Sequence, residues 1–262
     1  MDVILQKLAE YNQQQKAVCL CVVVSAQGGV PRHAGSKMLV FPDGSSLGTV
    51  GGGEVEAAAK AAALEALRTQ KPALVSYSLN ARDEGALGIC GGAMQVYVEP
   101  FLARPKLLII GAGHVGKAVA KLGKFLNFTV VVSDDRAELC TSAEFPEADL
   151  LLPMPMAEIP QQLEIDSQTY IVDVSRGSEL DTAGLPALLA AQPAYIGVIG
   201  SRRRWEATRA GLLENGVREA EIARIKSPVG LNIHAETPEE IAVSILAEII
   251  SLRNTAAERT KE

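Results

Sequence analysis

The sequence predicts an α/β chain: a smaller N-terminal α+β domain followed by a C-terminal Rossmann-like domain with a mostly parallel sheet. Three observations carry this reading. First, KLLIIGAGHVGKAVAKLGKFLNFTVVVSDD (106–135) sets Gly111, Gly113 and Gly116 between an apolar strand and an apolar-periodic helix, with an acidic residue about 20 positions on. Second, strand-like runs continue at DLLLP (149–153), YIVDV (170–174) and YIGVIG (195–200), alternating with helical stretches, as a parallel sheet covered on both faces requires. Third, the earlier part is ordered differently, as short runs split by turn signals, and the proline-punctuated stretch EPFLARPK (99–106) separates the two. The expected domains are therefore 1–103 and 104–262.

At 262 residues, 48% hydrophobic and 21% charged, the chain has ordinary globular usage and length enough for two cores. A net charge of -6 argues against broad nucleic-acid binding but leaves room for a local cationic site that holds one anionic ligand. Cys19, Cys21, Cys90 and Cys140 show no CxxC spacing and no dense framework, as expected of a reducing compartment. MDVILQKLAEYNQQQK lacks the features of a signal peptide, and no apolar run approaches the about 18 residues of a membrane helix. A cytoplasmic protein without a membrane partner is expected.

Val3, Ile4, Leu8 and Tyr11 recur near helical spacing over 2–14 and predict an amphipathic helix. AVCLCVVVSA (17–26) is short, apolar and β-branched, which predicts a buried strand. Cys19 and Cys21 share one side of it. Core filling is favoured over a metal pair there, because no second ligand pair of recognisable spacing accompanies them. KMLVF (37–41) and LGTVGGG (47–53) read as strands joined by a turn at Asp43-Gly44. Gly51, Gly52 and Gly53 then run into the helix EVEAAAKAAALEALR (54–68), so free N–H groups and the helix dipole converge there. That suits a phosphate or another oxyanion; a tight turn without a ligand is the alternative.

GGVPRHAGSKM (28–38) brings Arg32, His33 and Lys37 into a loop able to set cations beside the glycine turn. ALVSYSL (73–79) and AMQVYVEP (93–100) alternate as strands, which puts GICGG (88–92) in their connection. Cys90 is then a loop residue whose small neighbours leave room for a ligand.

In the second domain Gly111 is expected to make the sharp turn, Gly113 to let the backbone approach a pyrophosphate, and Gly116 to let the helix close on the sheet. Asp134 is the expected acceptor for a ribose hydroxyl. His114, inside the motif, is either a surface helix residue or a contact to the bound anion. GSRRRW (200–205) ends a strand and opens a helix, so Ser201, Arg202 and Arg203 fall at the carboxyl edge of the sheet, where arginine forks suit phosphate or carboxylate. Thr237, Pro238 and Glu240 form a helix start for the apolar stripe of Ile241, Ile245, Leu246 and Ile249.

Five segments, PRHAGSKMLVFPDGSSLGTVGGGEVE, GICGGAMQVYVEP, LLIIGAGHVGKAVAKLGKFLNFTVVVSDDR, YIGVIGSRRRW and PVGLNIHAETPEEIAVSILAEII, closely resemble the XdhC/CoxI family of molybdenum cofactor maturation factors. The resemblance covers nearly the whole chain, in order. It implies a chaperone rather than a catalyst. Such a protein binds molybdenum cofactor, as molybdopterin or its dinucleotide form, and promotes exchange of an oxo ligand for sulfur with a cysteine desulfurase. It then delivers the product to a molybdenum hydroxylase of the xanthine dehydrogenase type. The resemblance also implies that Cys90 lies near bound cofactor, as a contact to molybdenum. The chain departs from the family at Ser178, where the pattern has histidine, and at His234, where it has glycine.

Three functional readings follow. In the first, Gly51–Gly53 with Arg32 and Lys37, and the 111–116 turn with Ser201, Arg202 and Arg203, hold a polyanionic pterin while Cys90 supplies a soft thiolate. The second is an NAD(P)-dependent oxidoreductase, for which the sequence offers the Rossmann half but no evident acid, base and substrate clamp. The third is a nucleotide-binding regulatory module, which fold alone does not separate from the others. The resemblance favours the first and leaves open whether the chain forms a homodimer.

Overall fold

The structure is a computed structural model that describes residues 2–80 and 91–259. Cys90 lies outside the described residues. The chain divides between Ala103 and Arg104 into two compact units.

The N-terminal unit is built on a five-stranded antiparallel sheet of order β3-β2-β1-β5-β4. Its strands are β1 (Val18–Gln27), β2 (Lys37–Val40), β3 (Ser46–Gly48), β4 (Ala73–Ser78) and β5 (Ala93–Phe101). The central strand β1 is apolar on both faces because both are covered. Helix α1 (Val3–Gln13) sets Ile4, Leu8 and Tyr11 against Val18, Leu20 and Leu39. Helix α2 (Gly53–Thr69) buries Val55, Ala59, Ala63 and Ala66, and this small-residue stripe lets it lie close on the other face. Cys19 and Cys21 are on that second face, fully buried and free, so they fill the core. Among the described residues no group of three or more His, Cys, Asp or Glu is placed to hold a metal.

The hairpin ends earlier than the alternation suggests. β3 stops at Gly48, and Gly51, Gly52 and Gly53 all take positive φ (153°, 71° and 54°), which no ladder accommodates.

The C-terminal unit has a six-stranded sheet of order β11-β10-β9-β6-β7-β8, parallel throughout. The strands are β6 (Lys106–Ile110), β7 (Thr129–Ser133), β8 (Leu150–Leu152), β9 (Thr169–Asp173), β10 (Tyr195–Val198) and β11 (Ile225–Lys226). Alternation along β6 sends Leu107 and Ile109 to the face covered by α3 (His114–Phe125) and α7 (Pro238–Arg259), with Val119, Ala120, Ile245 and Ile249. Leu108 and Ile110 face the layer that holds Leu185, Leu188 and Leu189 of α4 (Ser178–Ala190) and Leu212 of α5 (Arg202–Glu214). A short α6 (Glu219–Ile222) precedes β11. The strand order reverses at β6, between β9 and β7, and a ligand crevice is expected outside the carboxyl ends of strands at such a point. No helix among the described residues is long and apolar enough to cross a membrane.

Candidate functional site

In the N-terminal unit three glycine-rich segments meet. An added Cβ on Gly92 would lie 2.3 Å from Gly29 O and 2.6 Å from Gln27 O, and one on Gly28 would lie 3.0 Å from Gly91 O. Residues 91–92 therefore pack backbone to backbone on 27–29. Gly91 N–H donates to Leu79 O and Gly92 O accepts from Leu79 N–H, which pins the chain immediately after Cys90. A Cβ on Gly51 would meet Pro31 Cγ at 2.8 Å, so the 28–36 loop also lies on the 51–53 turn.

Gly52, Gly53 and Gly91 are open on the side where a Cβ would stand. Arg32 is exposed, and Lys37 donates from Nζ to Gly35 O at 3.0 Å. The structure thus gathers Arg32, Gly51 and the segment that follows Cys90 into one region. Working against an anion there, Glu54 and Glu56 stand in the first turn of α2, and Thr49 Oγ1 donates to Glu56 at 2.5 Å.

In the C-terminal unit two of the three glycines of the 111–116 turn are required by the backbone around them. Gly111 has φ 114° and its Cβ would meet Val174 O at 2.6 Å; a Cβ on Gly116 would fall 2.0 Å from Gly111 O. Gly113 caps α3 without a side-chain bond and has open space where its Cβ would be. His114 is exposed at the first position of that helix, and no acidic residue occupies the first turn.

Asp134 and Asp135 end the run from β7 and behave differently. Asp134 is 2% exposed and accepts four hydrogen bonds: Ala112 N–H at 2.7 Å, and Arg136 N–H, Nε and Nη2 at 2.9 Å each. Burial works to raise its pKa, yet these donors outweigh it and hold the carboxyl at about 2. Asp135 is 32% exposed and accepts a two-pronged fork from Arg176 at 2.7 Å on each oxygen.

A cavity of about 240 Å³ opens beside this pair, lined by Gly111, both aspartates, Arg136 and Arg176, together with Met154, Met156, Leu180, Ser133 and Ser175. Among the described residues that the sequence offers for a site, Gly111 and Asp134 line it.

Ser201 caps α5, its Oγ accepting Arg204 N–H at 3.3 Å. Arg202 pairs along the helix with Glu206, and Arg203 is exposed. Arg204 is the arginine that turns inward. It donates to Asp181 through Nε and Nη2 and to Ser175 through both the carbonyl (2.9 Å) and Oγ (2.9 Å), with Thr208 Oγ1 also on Asp181 at 3.1 Å. This cluster fixes the loop that carries Arg176. The sequence holds a signal for it, since Arg204, Thr208 and Leu212 recur every four residues on one helix face. Beneath the loop, Asp173 is fully buried, with Oδ1 accepting Ser175 N–H and Oδ2 without a partner among the described residues. Burial first, and then the neighbouring Asp181, push its carboxyl up to about 7. Of the two departures, Ser178 is the first residue of α4, and His234 has φ 56°, a conformation that glycine adopts without strain.

Residues 107–249 match the XdhC Rossmann domain, and residues 12–78 match the XdhC and CoxI family. YqeB of Escherichia coli (strain K12) is 36% identical over 255 residues, 97% of this chain, and the chain spans 47% of that protein's length. Another protein of that strain, named molybdenum cofactor insertion chaperone PaoD, is 25% identical over 95% of this chain and 88% of its own. A crystal structure from Bacillus halodurans, described as a xanthine dehydrogenase, shares the fold over 95% of both chains, with a TM-score of 0.53 at 22% identity. With one family domain matching more than half of its residues and another matching its N-terminal part, the chain belongs to the XdhC/CoxI family.

Proposed function

We propose that the protein is a molybdenum cofactor maturation chaperone. It holds the cofactor as cargo, assists its sulfuration with a cysteine desulfurase, and passes it to a molybdenum hydroxylase of the xanthine dehydrogenase type. Family membership and the likeness to PaoD, named for cofactor insertion, support the class of activity. The observation that carries the assignment of the site is the meeting of the 28–36 loop with Gly51 and with Gly91–Gly92. It brings open glycine backbone and the loop that carries Arg32 to the segment that follows Cys90. Open backbone suits a close approach by a flat, polyanionic pterin, and the Arg32 and Lys37 cations offset Glu54 and Glu56. Cys90 supplies a soft thiolate for molybdenum there. Gly111, Gly113 and His114, and Ser201 with Arg202 and Arg203, are retained as separate anion contacts of the C-terminal unit. Action in the cytoplasm is part of the same reading.

The test is the molybdenum and pterin content of the protein after mixing with free cofactor and desalting. Wild type retains both, and Cys90→Ser folds normally and retains less. Equal retention would remove Cys90 from the site, and no retention by either protein would end the chaperone reading.

A further inference from the structure

We infer that the buried carboxyls of Asp173 and Asp181 share one proton, and that this proton latches the 174–177 loop, so that the Arg176–Asp135 pair beside the cavity is released as pH rises. The inference goes beyond the chaperone reading and does not depend on it.

The geometry of the cluster comes first. Asp173 ends β9 and Asp181 stands in the first turn of α4, and both are 0% exposed. Ser175 joins them: its N–H donates to Asp173 Oδ1 at 2.9 Å and its Oγ to Asp181 Oδ1 at 2.7 Å. The cation of the cluster is Arg204 of α5, which donates to Asp181 and to Ser175 but makes no bond to Asp173. Register sets Ile110 of β6 and Val198 of β10 on either side of Asp173, so these flanking positions bring no charge. Arg176, from the loop itself, turns to Asp135.

Two carboxylates against one guanidinium leave one negative charge unpaired and out of reach of solvent. A group so placed takes up a proton rather than remain charged. Asp181 is the one that stays ionised: it accepts from Ser175, Arg204 and Thr208, and the N-terminal turn of α4 favours an anion. Asp173 accepts from Ser175 alone, and its Oδ2 has no partner among the described residues. A proton on Oδ2 turns that orphaned acceptor into a donor, with Asp181 the neighbouring acceptor. Burial and the Asp181 charge act in the same direction and push the Asp173 carboxyl up to about 7, a value that belongs to the pair.

Loss of the proton leaves two anions on the one serine that both hold. The repulsion is relieved when Ser175 moves out and water reaches the carboxyls, and Arg176, the next residue, moves with it. Ser175, Arg176 and Asp135 all line the cavity, so its wall changes with the loop. The closed loop raises Asp173 above its ordinary value of about 3.9, so closure is fully supported below that value and the support is lost as pH rises through about 7. Between the two values the opening constant grows about tenfold per pH unit, and above about 7 it levels off.

The experiment is amide hydrogen exchange of the full chain between about pH 5 and about pH 8, read by NMR, with each rate divided by that of an unprotected amide. Protection of Val174 and Ser175 is expected to fall about tenfold per unit up to about pH 7 and then to hold level. The Arg176 guanidinium signal is expected to shift over the same range. Asp173→Asn carries a permanent donor where the proton sat, so both profiles are expected to be flat. Carbon-13 titration of the Asp173 carboxyl in wild type needs no variant, and its midpoint is expected near neutral pH. The inference is overturned by an Asp173 midpoint near the ordinary carboxyl value, by a slope that survives in the Asn variant, or by an Arg176 signal that does not move. It is also overturned if Val174 and Ser175 exchange no faster than Leu108 and Ile109, because global unfolding would then be the one opening observed.

Discussion

Each unit opens a helix with a glycine turn, and the two turns are not equivalent. Before α2, three successive glycines take positive φ, but the helix brings its own anions, Glu54 and Glu56, into the first turn. The turn is also tied internally, since Thr49 Oγ1 accepts Gly51 N–H at 3.2 Å while donating to Glu56. Before α3, the first turn has no carboxylate, and the buried acid nearby, Asp134, spends itself on Ala112 N–H and Arg136. The comparison teaches that glycines before a helix do not by themselves make an anion site. What decides is whether the chain has already placed a negative charge on the dipole. The α3 turn keeps its positive end, whereas in the α2 turn Glu54 and Glu56 oppose it.

The largest effect expected from this contrast is steric. Gly116→Ala puts a methyl 2.0 Å from Gly111 O, so α3 must move away from its turn, at a cost of about 3 kcal/mol or more. Gly53→Ala meets no atom within 4 Å and suffers only its φ of 54°, a cost of about 1 kcal/mol. Trp205, the one tryptophan, is in the C-terminal unit, so its fluorescence in a urea titration reports the first change and not the second. A Gly116→Ala protein that unfolds like wild type would show that close helix approach does not need this glycine.

The next effect separates the acids around the α3 turn. Asp173, raised to about 7 in the fold, lies above its ordinary value of about 3.9, so its contribution to stability is full below that value and is lost as pH rises through 7. Asp134, held at about 2, has the opposite sign: its contribution is present above about pH 4 and is lost as pH falls toward 2. The C-terminal unit should therefore lose on the order of 2 kcal/mol between about pH 5 and about pH 8, and Asp173→Asn should flatten that slope. An unchanged slope in the Asn variant would place the titration elsewhere.

Much of the architecture was legible in the sequence because it rests on local periodicity. The strand, glycine turn and helix of 106–125, the alternating strands that follow, and the apolar stripe of α7 need no long-range information. The site was less legible, because hydrogen-bond partners come from residues distant in sequence. Two adjacent aspartates are equivalent on paper until Ala112 N–H and Arg136 claim one and Arg176, 41 positions on, claims the other. The run Arg202-Arg203-Arg204 marked the right helix, but only the helical phase, with Thr208 and Leu212 buried on the same stripe, shows which arginine turns inward. The glycines of 28–29 and 91–92 read as separate loops in the sequence because β1 and β5, whose pairing joins them, are more than sixty residues apart.

The smallest effect tests the comparison most directly. If Glu54 and Glu56 are what close the α2 turn to anions, Glu54→Gln/Glu56→Gln should expose it. Each carboxylate in a first turn contributes about 0.3–1 kcal/mol through the dipole, so the double variant should lose about 1 kcal/mol of stability in the N-terminal unit. It should gain a few-fold in affinity for inorganic pyrophosphate, read from the amide shifts of Gly52 and Gly53 during a titration. The same titration of wild type should shift Gly113 and His114 before it shifts Gly52 and Gly53. Should the double variant leave that order and the Gly52 and Gly53 response unchanged, its own carboxylates would not be what distinguishes the α2 turn. The difference would then lie in backbone geometry, in the three successive positive φ angles of 51–53 against the single one at Gly111.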